Sequence, residues 1–336
     1  MKHLFQTLSI LGVGILTFVS CNKETGTEIP NEDFYTIQIN MAGEVNVGYE
    51  PMTKSTPTDY LYAVQVSSTP DIELEEGQRP VWTPYAHYYC IGTAPSTIKL
   101  AKGYKYGFIA DIIVDDDNKL DIRTEGLGTH PWSLVPPDDD CTQSSSTSFS
   151  YCTEHELTTG ASAVYIGGEY YTRPNIDRYL GNLTNFVPSE NNMSVSINMI
   201  RQTFGAKFVV TGNLATSGTI GIQIEGAPKQ TLTLSEDTAL NVHSDIYNFY
   251  DKDPRMTDEY SETIPVKLDW TRTDGTVYSI GTFDIVYQRN TTTIVTIVLD
   301  DDTISGGMGL VIPESETGTM TEPGTNDVTI KDGAIQ

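Results

Sequence analysis

The scarce reactive side chains of this 336-residue chain are five histidines and four cysteines, and their spacing decides what chemistry they could do. His3, His87, His130, His155 and His243 never pair at i, i+4, and no HExxH occurs, so the helix-borne zinc pair of a metallohydrolase is missing. The stretch "CTEHE" brings Cys152, Glu154, His155 and Glu156 together, but a zinc site needs further ligands, and a solvated loop is the plainer reading. Three acid-rich runs, Asp115–Asp121, Asp138–Asp140 and Asp300–Asp302, invite a calcium reading. An EF-hand loop begun at Asp115 would put Lys119 at its fifth position and Leu120 where glycine is required, so that match fails. A charged turn that discourages edge-to-edge strand pairing accounts for such runs. Neither a GxSxG elbow nor a phosphate-binding loop occurs. No catalytic residue, metal ligand or cofactor is assigned, and the chain is expected to be non-enzymatic.

Cys21 is the cysteine with a chemical assignment. Lys2 and His3 form a short basic start, residues 4–19 are mainly apolar, and small Ser20 directly precedes the cysteine. That is the layout of a secretory signal peptide. A small residue immediately before cysteine resembles the bacterial lipobox, in which the cysteine is acylated and becomes the new N-terminus. Cys21 is therefore expected to carry lipid and hold the protein to a membrane, each buried CH₂ contributing about 0.8 kcal/mol. An ordinary cleaved signal and a retained membrane span are the alternatives. The flank after Cys21 is not basic, which weighs against a span. Export permits disulfides. Cys141 and Cys152 flank the serine-rich loop "CTQSSSTSFSYC", and either a bond between them or two free thiols fits the spacing. Cys90, after the aromatic run "HYY", reads as a small core residue.

The elements that would carry these residues are strands. Tyrosine is abundant at 19 residues, and "FYTIQIN", "YLYAVQVS" and "AKFVVTG" alternate with period two. Short strands broken by Gly, Asn and Asp at near-regular spacing indicate sandwiches or barrels. "GYKYGFIADIIV" followed by an acidic turn and "KLDIR" reads as a hairpin, a short strand is expected near 148–153, and 237–250 is a segment with a poor helical period. The expected organisation is a signal peptide over 1–20, a polar tether over 21–32, a first β domain over 33–160 with a long loop at 124–160, and a second over 161–302. A flexible tail over 303–336 contains two apolar islands, Gly309–Ile312 and Val328–Ile330. The tail alone buries too little to offset its ordering entropy, unless a sheet edge orders it as an added strand.

The formal net charge of −25 repels phosphate backbones, so nucleic acid is not an expected partner.

The order of these stretches resembles a known family. A lipoprotein-like cysteine and short tether precede "YLYAVQV", "TIKLAKGYKYGFIADII" and "VSINMIRQTFGAKFVVTG"; the run closes with "WTRTDGTVYSIGTFDIVYQRNTTTIVTIVLDD". Over about 33–302 this pattern resembles the fimbrillin-like surface lipoproteins of Bacteroidota. The arginine-bearing strand before "TFGAKFVV" and the closing "RNTTTIVTIVL" are its most characteristic parts. The resemblance implies two tandem β-sandwich domains of transthyretin-like topology. It implies a lipid-anchored protein of the outer membrane, facing the cell surface: a pilus subunit, a pilus anchor or an adhesin. Its partners would be the membrane, other fimbrillin-like subunits, or ligands on host or bacterial surfaces. Subunits of that kind assemble by donating an extended strand to a neighbour, many after proteolysis following an N-terminal arginine. Here no arginine precedes Arg79, so a chain that keeps its lipid suits an anchor or a lone surface protein better. The alternative function is a surface glycan-binding lipoprotein that stacks sugar rings on Trp82 and Trp132; half-buried strand tyrosines are the plainer explanation of the aromatic clusters.

Overall fold

The structure is a computed structural model that describes residues 34–44, 60–114, 133–135, 148–151, 156–158, 164–299, 309–311, 324–332 and 334–335. Period-two alternation turns into strands nearly everywhere, and no α-helix occurs among the described residues. The early strands are β1 (Phe34–Gly43), β2 (Tyr60–Pro70), β3 (Thr83–Ile91), β4 (Thr97–Ala101) and β5 (Tyr104–Val114). Short strands follow: β6 (Ser133–Val135), β7 (Glu156–Thr158), β8 (Val164–Ile166) and β9 (Glu169–Tyr171). Then come β10 (Asp177–Phe186), β11 (Ser194–Arg201), β12 (Thr203–Thr211), β13 (Thr219–Ile224), β14 (Gln230–Thr233) and β15 (Val242–Asn248). The chain continues through β16 (Ser261–Thr271), β17 (Val277–Gln288) and β18 (Thr291–Val298), and its last strands are β19 (Gly309–Val311), β20 (Gly324–Asp332) and β21 (Ala334–Ile335).

The first sheet has seven strands in the order β3-β2-β5-β10-β11-β1-β4. One face packs a core of Ile37, Val64, Tyr88, Tyr106, Phe108, Ile197 and their neighbours, all supplied by this sheet apart from Phe149. A single sheet can cover both sides of a core only by curling. The Tyr85 hydroxyl on edge strand β3 donates to the Lys99 carbonyl on the opposite edge strand β4, 2.9 Å away. The two edges therefore face each other across a core about as thick as a sandwich's ~10 Å. Cys90 sits in this core as a free thiol, as its apolar context suggested. Leu157, Val164 and Ile176 cover Leu61, Ala63 and Ile113 on the opposite face.

The second half is a two-sheet sandwich. One sheet runs β15-β12-β18-β20-β19-β21 and the other β14-β13-β16-β17. Alternate residues of both fill one core: Phe204, Phe208 and Val210 from β12, Val295 and Ile297 from β18, and Ile264, Val266, Leu268 and Trp270 from β16. Strands β12 and β18 lie unusually close, because Gly205 has no side chain to meet Thr292; a Cβ there would stand 2.4 Å from the Thr292 Oγ1. The all-β, sandwich-like class expected from the sequence is what the chain adopts.

Three local expectations need correction or restriction. The boundary expected at 160/161 does not match the sheets: β10 and β11 pair into the first sheet, and the chain changes sheet at Gln202. Alternation shows that a segment is a strand, but not which sheet it joins. The segment 237–250 forms a 3-10 turn at Thr238–Leu240, capped by Asp237, and then strand β15. Burial of Tyr247 and Phe249 in the second core outweighs its weak helical period. Of the strand expected near 148–153, the described residues 148–151 hold one bridge, Ser150 with His87, and the rest lies outside the described residues. The partner strand of the "KLDIR" hairpin lies outside the described residues, and β5 pairs instead with β2 and β10.

Candidate functional site: an arginine joint and a completed sheet edge

Strands β11 and β12 are separated only by Gln202, so the last turn of the first sheet and the first turn of the second meet there. Gln202 is fully buried; its amide donates to the Ile200 and Asp253 carbonyls and its oxygen accepts from the Asp253 N–H. Two arginines stand on either side. Arg201 closes β11 and makes a bidentate pair with Asp177 at the start of β10, at 2.8 and 2.9 Å. Arg289 occupies the tight β17–β18 turn, where Asn290 takes a positive φ of 55° that asparagine tolerates better than most residues. The Arg289 guanidinium donates to Glu44 just past β1 (2.8 to 3.1 Å), to the Thr257 and Arg201 carbonyls, and to Asp258.

Glu44 also accepts the Arg201 backbone N–H at 2.7 Å. Burial works to raise the Glu44 carboxyl, but the Arg289 fork, the Arg201 N–H and the Arg289 charge together hold it below its ordinary value. These are the arginines of "NMIRQ" and "YQRN", the two stretches that gave the resemblance its character. Their role is mechanical: a planar guanidinium satisfies several acceptors at once and clamps β1, β10 and β11 to the β17–β18 turn.

A second buried pair stiffens the first sheet. Arg178 on β10 and Asp111 on β5 are both fully buried and make a bidentate contact. Near it, burial and then the Arg178 charge pull the Lys252 amine down to about 7, with its Nζ donating to the Tyr250 carbonyl at 3.3 Å.

The other notable feature is the edge of β18. Its sequence, "TTTIVTIV", pairs in parallel with β12 on one side. On the other side β20 pairs with it in parallel, from Thr291 opposite Gly324 to Ile297 opposite Ile330. The tail thus takes the place of a further strand, with β19 and β21 beyond it. For these three pieces the docked alternative applies; the rest of the tail lies outside the described residues. β18 would otherwise be an edge strand with a row of unpaired N–H and C=O groups.

Among the residues singled out from sequence, Trp82 is half-buried. Its six-membered ring lies against Gly107 of β5, where a Cβ would stand 3.6 Å from the Trp82 Cζ3. Cys21, Cys141, Cys152 and Trp132 lie outside the described residues. Sequence reading did not pick out Glu44, Asp177 or the Asp111–Arg178 pair. One signal was available: an aspartate inside the apolar strand "GFIADIIV" requires a buried cation.

Among the described residues no group of three or more His, Cys, Asp or Glu is placed to hold a metal, and no helix is long and apolar enough to cross a membrane. No family model matches this chain, and none of the curated proteins is similar to it. Among solved structures, it is similar to a candidate cell adhesion protein from Bacteroides eggerthii, at 12% identity and a TM-score of 0.35, covering 93% of this chain and 100% of that one. It is similar to a candidate adhesin from Bacteroides ovatus, at 13% identity and a TM-score of 0.33, covering 80% and 90%. It is also similar to the fimbrial anchor protein Mfa2 from Porphyromonas gingivalis, at 8% identity and a TM-score of 0.30, covering 74% and 82%.

Proposed function

We propose that this protein is a non-enzymatic subunit of a bacterial cell envelope, held at the outer membrane by acyl chains on Cys21 and joined to other chains by strand addition. The β18 edge carries this reading, because a strand from the far end of the chain completes it in parallel register. Backbone pairing is nearly sequence-independent, so any extended segment with suitable alternation can compete for that position. An added strand gains ladder hydrogen bonds and buries alternate side chains, and such a joint needs no catalyst. The rigid arginine joint suits a part that transmits load between its two halves. The apolar run ending at Ser20–Cys21 supports the lipid anchor, and the polar residues after it support a tether.

The test is a chain lacking residues 304–336, offered a labelled synthetic peptide of residues 322–335. The truncated chain should take up the peptide, or assemble into SDS-resistant ladders, while the full chain does neither as readily. A truncated chain that stays monomeric and ignores the peptide would remove the basis for strand addition.

A further inference from the structure

We propose that this chain is built to carry tension from end to end, with β1 and β20 as the strands where the load enters and leaves. For the source of the force this rests on the envelope role proposed above: a chain anchored at Cys21 and joined to others near its tail is pulled at its two ends. The strand directions supply the rest. β1 pairs in parallel with β11, from Gln38 opposite Ser194 to Gly43 opposite Met199. Both run toward the joint, where Glu44 accepts the Arg201 N–H. β12 leaves the joint at Thr203; β18 runs parallel to β12, and β20 parallel to β18. Phe34 therefore stands at the end of the first sheet remote from the joint, and Ile330 at the remote end of the second sandwich. Only Gln202 separates β11 from β12, and the two strands do not pair. Such a link is too short for a hairpin loop, so the chain passes on from one sheet into the next.

An outward pull on Phe34 draws β1 lengthwise along β11. The ladder bonds between the strands lie across that direction, so they are strained together and must fail together. A pull on the chain beyond Ile330 does the same to β20 along β18, whose ladder runs from Thr291 opposite Gly324 to Ile297 opposite Ile330. Neither strand lies at an open edge. β4 pairs with the other side of β1, from Phe34 opposite Ala101 to Gln38 opposite Thr97, and β19 pairs with the other side of β20.

Two routes carry the load across the joint. One is covalent, from β11 through Gln202 into β12, with Gln202 buried and tied by its side chain to the backbone of Ile200 and Asp253. The other is the ion pair between Glu44 and Arg289, at 2.8 Å. Glu44 directly follows β1, and Arg289 lies two residues before β18 begins at Thr291. Tension in β1 therefore reaches β18, and from it β20, without passing through β11 and β12. The pair is shielded from water on the arginine side, where the side chain is 3% exposed, so it is screened less than a surface pair would be. The four-stranded sheet β14-β13-β16-β17 lies off both routes and serves to cover the core.

The experiment is single-molecule force spectroscopy of the full chain in two geometries. In the first, handles at Asn31 and Gln336 pull the chain end to end. In the second, the Gln336 handle stays and the other moves to Asp274, in the exposed β16–β17 turn. That turn lies at the same remote end as Ile330, because β17 runs from it toward the joint, so this pull peels β20 from its end one bond at a time. End-to-end rupture should need about twice the force of peeling or more, since one geometry loads the ladder bonds together and the other in succession. Glu44→Gln should lower the end-to-end force and leave the peeling force unchanged. Leu268→Ala, in the core but off both routes, should lower Tm at least as much and leave the end-to-end force near that of the parent. Equal forces in the two geometries would overturn the proposal, as would a Glu44→Gln chain that ruptures end to end like the parent or a Leu268→Ala chain weakened as much as Glu44→Gln. No lipid or partner chain takes part, so failure here is distinct from failure of lipid anchoring or strand addition.

Discussion

At the scale of single residues, the buried charges set the most specific expectations. Asp111 and Arg178 are each without solvent contact and meet in a bidentate pair. Asp111→Asn should cost about 3–5 kcal/mol, because it leaves a guanidinium buried with a neutral partner. Replacing both together, Asp111→Leu with Arg178→Met, should cost much less than the two single changes combined. Urea melts of the four proteins measure this, and simple additivity would show that the pair is not coupled. Glu44 sets a pH limit. Its folded carboxyl is held below its ordinary value, so its contribution is present above the unfolded value near 4.5 and is lost as pH falls through the folded one. Glu44→Gln should therefore cost about 2 kcal/mol at neutral pH and progressively less as pH falls through the folded value. Lys252 has the opposite sign. Its amine is held near 7 in the folded chain but stays protonated to about 10.5 when unfolded, so stability should rise between those values. Lys252→Met should flatten that rise, and an unchanged slope would show that the amine does not titrate in the folded protein as its burial implies.

At the scale of elements, the β18 edge decides behaviour. β18 is held on one side by β12 and on the other by a strand from the tail. Deleting residues 304–336 removes that second ladder and leaves the core side chains of β12 to β18 in the chain. The fold should persist with Tm lowered by a few degrees, while amide exchange accelerates in Thr291–Ile297 and stays slow in β16. Complete unfolding would make β20 an integral core strand; unchanged exchange in β18 would mean that the ladder does not protect it in solution. The arginine joint is the contrasting case. Its contacts come from chain positions as far apart as Glu44 and Arg289, so its loss should loosen β1 and the β17–β18 turn together.

At the scale of the whole molecule, location and assembly are separable. Cys21→Ala should release the protein from membranes or block its processing; retention of a correctly processed Cys21→Ala protein would remove the lipid anchor from the proposal. Proteolysis of intact cells should cleave the protein if it faces the medium and spare it if it faces the periplasm. Retention on a polysaccharide gel without any assembly would favour glycan binding as the main role, and loss of that retention on changing Trp82 would place the sugar on that ring.

The sequence by itself determined the class of structure, because strand alternation, turn residues and tyrosine content are local properties that need no partner to be recognised. The proposed Ser20–Cys21 junction rests on sequence alone, since an export signal would be read as linear chain. It picked out the two arginine-bearing stretches but not the reason for them. Arg201 and Arg289 meet only because β1, β11 and the β17–β18 turn converge at Glu44, and convergence over such separations leaves no trace in local pattern. The same holds for the change of sheet at Gln202, since alternation is identical whichever sheet a strand joins. What the tail does was left open by composition, because an extended segment is stable or not according to the edge it meets, and the edge of β18 is formed only by tertiary structure.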